Sequence, residues 1–300
     1  MSDAGPRPPE ALKTSTPDSR GRGAHKVDWW AEARGLLLML LAVIGFHSFI
    51  AKPFYIPSIS MMPNLLVGDR LVVSKYPYGW SWVSASFHVL PRSRERLLGK
   101  TPAYGDIVIV VPPDRDEDYI KRVIALPGDR IAVVNGQIIL NGRPIPQAVE
   151  PPLELAVDPN EPCSPEEFPN LRYRSASGRE FCELPILRET LPNGVSYDII
   201  DHLQNQPLDN YAEIKVPAGH VFLMGDNRDH SADSRANSGP FEKGLGGPVP
   251  LSSVGGRAEF ITFSLDGSAT LDPRTWWASL RKDRAWRNLR AALDPAKTSR

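Results

Sequence analysis

The chain has 300 residues with 35 Lys and Arg against 35 Asp and Glu, and that balance argues against a nucleic-acid binder or a partner for acidic substrates. Its 30 prolines imply many turns and edges, which excludes a helical bundle and favours a mainly β fold. At this length it holds one large domain or two modest ones.

Residues 1–33 open as a tail rich in Pro, Ser, Gly and charge, too poor in apolar side chains to offset the entropy of folding. Residues 35–51 then run without a charge, flanked by Arg34 and Lys52, and 34–52 reads as a transmembrane helix at the short end of what spans a bilayer. A cleaved leader fits less well, because the charged stretch ahead is too long and Ala51-Lys52-Pro53 is a poor cleavage site. A buried core helix fits less well too, since apolar residues occupy every face. Arg20, Arg22, Lys26 and Arg34 before the span outnumber Lys52 and Arg70 after it, which puts the tail inside and the rest outside.

Pro57-Ser-Ile-Ser60-Met-Met-Pro-Asn-Leu-Leu-Val-Gly-Asp69 comes directly after the span. In extended chain Ser58 and Ser60 fall on one side, so a carbonyl attacked by the Ser60 hydroxyl would have its oxygen near Ser58. Taken alone, a Ser-x-Ser between prolines is far more often an ordinary turn. Strands are expected at 69–76 and 105–111, the second buried and ended by Pro112-Pro113. Trp80, Trp82 and Phe87 between them are either satellite core or a second contact with the bilayer.

Asp118-Tyr-Ile-Lys121-Arg-Val-Ile-Ala-Leu-Pro-Gly-Asp129 reads as a strand into a turn, with Tyr119, Lys121 and Val123 on one face. Burial there would depress the Lys121 ammonium, as a lysine that takes a proton from serine near neutral pH requires; the alternative is a solvated lysine. Asn135-Gly136 between apolar runs predicts a tight hairpin. Periodicity fades over 144–210, an insertion or small subdomain, where Cys163 and Cys182 are either a disulfide, if the compartment is oxidising, or two free thiols.

Gly225-Asp-Asn-Arg-Asp-His-Ser231-Ala-Asp233-Ser-Arg235 is acidic but lacks the glycine and glutamate of a calcium loop, so it reads as a tight polar turn able to hold a catalytic group. Residues 270–300 form a basic amphipathic segment, helix-favouring over 276–293 with Trp286, Leu289 and Leu293 on one face. It either lies on anionic lipid or caps the domain.

The boxes around Ser60, Lys121 and Ser231, with Gly105-Asp-Ile-Val-Ile-Val110 as a structural fourth and one anchor before the serine, resemble bacterial type I signal peptidases over about residues 34–263. The resemblance implies a membrane-anchored serine endopeptidase removing signal peptides from exported preproteins after small residues, in an Ala-x-Ala pattern. It implies Ser60 as nucleophile, Lys121 as general base, Ser58 with the Ser60 N–H as oxyanion hole, and Ser231, Asp233 and Arg235 in support. No cofactor or metal is implied. The implied architecture is a mainly β, antiparallel catalytic domain over 53–143 and 211–266, with 144–210 inserted. Signal peptides, the lipid bilayer and a nearby secretion translocon are the implied partners, at a bacterial inner membrane with the catalytic domain on its outer face. Asn64 and His230 depart from residues common in the family, and 236–248 is longer than usual.

Rival readings are a Ser-Lys relative with another task, a non-catalytic anchored binding protein, and a Ser-His-Asp hydrolase using His202, His220 or His230. The last lacks a Gly-x-Ser-x-Gly.

Overall fold

The computed structural model describes residues 28–85 and 90–291; the calls on the tail before residue 28, on Phe87 and on Leu293 lie outside them. The chain divides into two compact units, one through Leu41 and one from Ala42 onward. Helix α1, Trp29–Phe49, has 21 residues, a length of about 31 Å at 1.5 Å per residue, matching a bilayer core. It starts upstream of the uncharged run because the Asp28 carboxylate caps it, accepting from the N–H groups of Trp30 and Ala31.

After α1 come β1 (Ala51–Tyr55), β2 (Asp69–Ser74), β3 (Ile107–Val110), β4 (Tyr119–Ala125), β5 (Arg130–Val134), β6 (Gln137–Leu140) and β7 (Arg143–Pro144). Then follow β8 (Gln147–Ala156), β9 (Arg172–Arg174), β10 (Glu180–Thr190), β11 (Ser196–Ile199), β12 (Tyr211–Lys215), β13 (His220–Met224), β14 (Val249–Pro250), β15 (Val254–Ser264) and helix α2 (Pro273–Ala278). The main sheet has seven antiparallel strands in the order β1-β2-β15-β3-β4-β13-β14. The expected mainly β, antiparallel architecture is what the chain adopts.

Strand β3 shows why its sequence lacks polar alternation. Ile107 and Ile109 enter a core with Ile56, Leu71 and Ile261, while Val108 and Val110 enter a second one with Val123 and Leu223. Both faces are covered, so all four positions are apolar. Next to it, β4 turns Lys121 and Arg122 to opposite faces, and both are buried. The hairpin forms at Asn135 and Gly136, whose φ angles of 49° and 79° suit a two-residue turn.

Residues 144–210 contain a sheet of their own, in which β10 pairs with β8, β9 and β11. Periodicity is poor there because Pro151 and Pro152 cannot donate to the ladder, and the register slips between Leu184 and Ile186 opposite them. Cys163 and Cys182 are disulfide-bonded.

The helix expected over 276–293 is a correction. Helix α2 ends at Ala278, and the chain beyond runs beside β15, with Trp286 N–H donating to Ile261 and Leu289 N–H to Glu259. Leu289 joins the core, and Arg284 pairs with buried Asp69. Backbone bonds to a free strand edge and ion pairs to the body outweigh weak helix propensity, so this segment caps the domain.

Candidate active site

Ser58 is extended, with φ −141° and ψ 157°, and a single helical turn over Ile59–Met61 follows it and buries Ser60. The Ser58 and Ser60 hydroxyl oxygens are 3.3 Å apart; they share a side as expected, but Ser60 lies in a helical turn and not in extended chain. The Met62–Pro63 peptide is cis. From β4, Lys121 reaches across so that its Nζ lies 3.1 Å from Ser60 Oγ. Burial pulls the Lys121 amine down from 10.5 to about 8, opposed by the charges of Asp233 and Asp226 and reinforced by Arg235.

The turn after β13 carries the supporting residues. Asp233 accepts from Arg235 Nε at 3.0 Å, from Arg235 Nη2 at 2.9 Å and from the Gly225 N–H at 3.0 Å. Burial raises the Asp233 carboxyl, but Arg235 and these N–H donors outweigh it and hold it below its ordinary value. Ser231 is buried here, yet its Oγ makes no hydrogen bond among the described residues, to Lys121 or to any other group. Ser231 lies instead against Gly225, where an added Cβ would collide with both Ser231 Oγ and the Ser60 carbonyl. Only glycine allows the turn this close to the serine.

Sequence reasoning missed what locks these pieces together. Arg122 grips Asp226 with two bonds, Nε to Oδ1 at 2.7 Å and Nη2 to Oδ2 at 2.6 Å, in a nearly water-free setting. Asn64 donates to both Asp226 Oδ2 and the Asp198 carbonyl, at 2.8 and 2.7 Å, so a departure from the family's usual residue proves to be a tie. Asn227 donates to the Ile59 carbonyl, and its N–H to that of Ser60. The apolar residues around Arg122 were the available signal, since a strand buried from Ile120 to Ala125 leaves Arg122 no route to water. Behind them, buried Arg228 pairs with Glu189.

Among the described residues, Asp201, Asp209 and Asp229 form one group whose carboxylates come within 4.8 Å of one another, as a cation would need. Asp229 Oδ2 is already engaged by His202 Nδ1 at 2.8 Å and by two backbone N–H groups. His202 is thereby occupied away from Ser60, and His230 bonds the Glu167 carbonyl.

Residues 29–263 match the family described as signal peptidase, peptidase S26. The chain belongs to that family. A signal peptidase I of Rickettsia akari (strain Hartford) is 31% identical over 296 residues, covering 93% of this chain and 98% of the relative. Those of Rickettsia conorii (strain ATCC VR-613 / Malish 7) and Rickettsia typhi (strain ATCC VR-144 / Wilmington) are 31% and 32% identical over 296 and 254 residues. They cover 93% and 82% of this chain, and 98% and 82% of their own lengths. A crystal structure of a signal peptidase I from Enterococcus faecalis V583 is 21% identical, covers 53% of this chain and 97% of its own, and superposes with a TM-score of 0.27.

As an S26 signal peptidase the chain is a serine endopeptidase, and its family is membrane-anchored. Helix α1 is the candidate span among the described residues, with a mean hydropathy of 1.5. The lysine's position sets an expectation for any S26 reaction run by these two groups. The rate under kcat/KM conditions should rise about tenfold per pH unit up to about 8 and level off above, since only the neutral amine takes a proton. A profile flat from pH 6 to 9 would show that Lys121 is not the base.

Proposed function

We propose that this chain removes N-terminal signal peptides from exported preproteins, cutting after small residues with Ser60 as nucleophile and Lys121 as general base. The observation that carries this is the 3.1 Å approach of a buried, depressed lysine amine to a buried serine hydroxyl. Neutral Lys121 takes the Ser60 proton as Oγ attacks the scissile carbonyl, and the ammonium gives that proton to the departing amine. Water then repeats the cycle on the acyl-enzyme, releasing the signal peptide and restoring Ser60.

Ser58 supports this reading because its hydroxyl lies 3.3 Å from that of Ser60, so that with the Ser60 N–H it would donate to the oxygen that gains charge. Asp233 and Arg235 brace the polar turn through their ion pair, and Ser231 on the same turn is buried with an uncommitted hydroxyl, which leaves it free to support the amine. The substrate would bind extended, with alternate small side chains in shallow pockets. Helix α1 would span the bilayer with the N-terminus in the cytoplasm, the catalytic domain outside, and the secretion translocon near. An oxidising exterior agrees with the Cys163–Cys182 disulfide.

The test is to incubate detergent-purified wild-type and Ser60→Ala chains with a preprotein whose signal ends in Ala-x-Ala, and to map any cut by mass. A cut after the second alanine by the wild type alone is expected. Cleavage elsewhere, or by both chains, would refute the reading. Ser58→Ala should keep KM and lose about 10- to 1000-fold in kcat, the loss of one oxyanion donor.

A further inference from the structure

A cavity of about 430 Å³ lies between the segment 94–101, the approach to β13 and the β14 turn. Arg94, Arg96, Lys100 and His220 line it with Thr101 and Ser252, and no aspartate or glutamate does. Arg94 and Lys100 are exposed and have no ion pair or side-chain hydrogen bond to another described residue. Arg96 is held only by the carbonyls of Leu251 and Val254, and its Nε is buried without a partner among the described residues. Burial pulls the Arg96 guanidinium down to about 10, with no carboxylate to oppose it.

Three cations around one recess repel each other, more strongly where water is partly excluded, unless a counter-charge joins them. The recess is also built to stay in place. Leu97 and Trp80 exchange backbone hydrogen bonds of 2.8 and 3.0 Å, the Lys100 N–H bonds Tyr78, and the Leu251 N–H bonds Gly219 at 2.8 Å. The Arg96 clamp and the β13–β14 pairing of His220 with Pro250 close the frame.

We propose that this cavity is a binding site for a phosphate group, with Arg94, Arg96 and Lys100 supplying charge and the hydroxyls of Thr101 and Ser252 further donors. Guanidinium and ammonium groups converging with hydroxyls match the several acceptor oxygens of a phosphate better than a lone carboxylate. Free phosphate and the headgroup of an anionic phospholipid share this chemistry. The site does not depend on the peptidase reading.

The test uses the full chain in dodecyl maltoside, titrated by calorimetry and thermal shift with inorganic phosphate. A second arm uses dihexanoylphosphatidylglycerol, with dihexanoylphosphatidylcholine as the zwitterionic control. Saturable binding that weakens at least about tenfold in Arg94→Gln/Lys100→Gln is expected, with preprotein cleavage unchanged. Binding of inorganic phosphate identifies the free ion; binding of the glycerol lipid alone identifies a headgroup. No saturable binding in either arm, or equal binding by the variant, overturns the proposal. Lys100→Gln alone, at an exposed position, replaces the double variant should that one melt early.

Discussion

Ser60→Ala and Lys121→Met chains are expected to leave a preprotein uncut, each losing about 10⁶-fold in kcat, the scale seen when one member of a serine catalytic unit is removed. The losses should not add in the double variant, because the proposed nucleophile and base would act as one unit. Stability should move the other way. Lys121 has a folded pKa of about 8 against 10.5 unfolded, so below pH 8 the folded state carries a buried ammonium that the unfolded state would hydrate. The unfolded chain binds more protons between those values, and the wild type therefore gains stability as pH rises through that window. Lys121→Met lacks the penalty, on the order of 3 kcal/mol at neutral pH, and should melt higher at pH 7 by a margin that shrinks towards pH 10. Thermal melts of both chains across that range check this. A variant that melts lower at pH 7 would mean that the lysine helps hold the fold, and that its burial carries no cost of this size.

The second large effect is structural. Asp226→Leu should cost about 3–5 kcal/mol, because Arg122 would stay buried with its charge unanswered and Asn64 would lose an acceptor. Against a typical total of about 5–15 kcal/mol, that is enough to unfold much of the domain. Adding Arg122→Met removes the stranded charge, and the double variant should recover at least half of the loss. Urea titration of the three chains measures it. A single variant within about 1 kcal/mol of wild type would mean that Arg122 finds water or another acceptor, and that the pair does not lock the turn to β4.

What was legible in the chain was local. Pattern and turn chemistry located β3, β4 and the Asn135-Gly136 hairpin, because apolar period and turn residues act within a few positions. The nearness of Ser60 and Lys121 came from resemblance, since spacing alone left both a bland reading. The ties around them were invisible for a physical reason: Arg122 and Asp226 are 104 residues apart, Asn64 and Asp226 162, and Arg284 and Asp69 215. No periodicity records a pairing at such range. The segment after Ala278 misled because a chain lying along a strand edge and an amphipathic helix can bury the same Leu289.

The position of β15 bears on when this protease comes into being. It lies between β2 and β3, so within the main sheet the strands β1 and β2, which flank Ser60, are hydrogen-bonded to the strands on Lys121's side through a strand ending at Ser264. A growing polypeptide short of that point lacks the strand that continues the sheet from β2 to β3. With Ser60 and Lys121 in the roles proposed above, completion of the site would wait until β15 has been made and has paired on both sides.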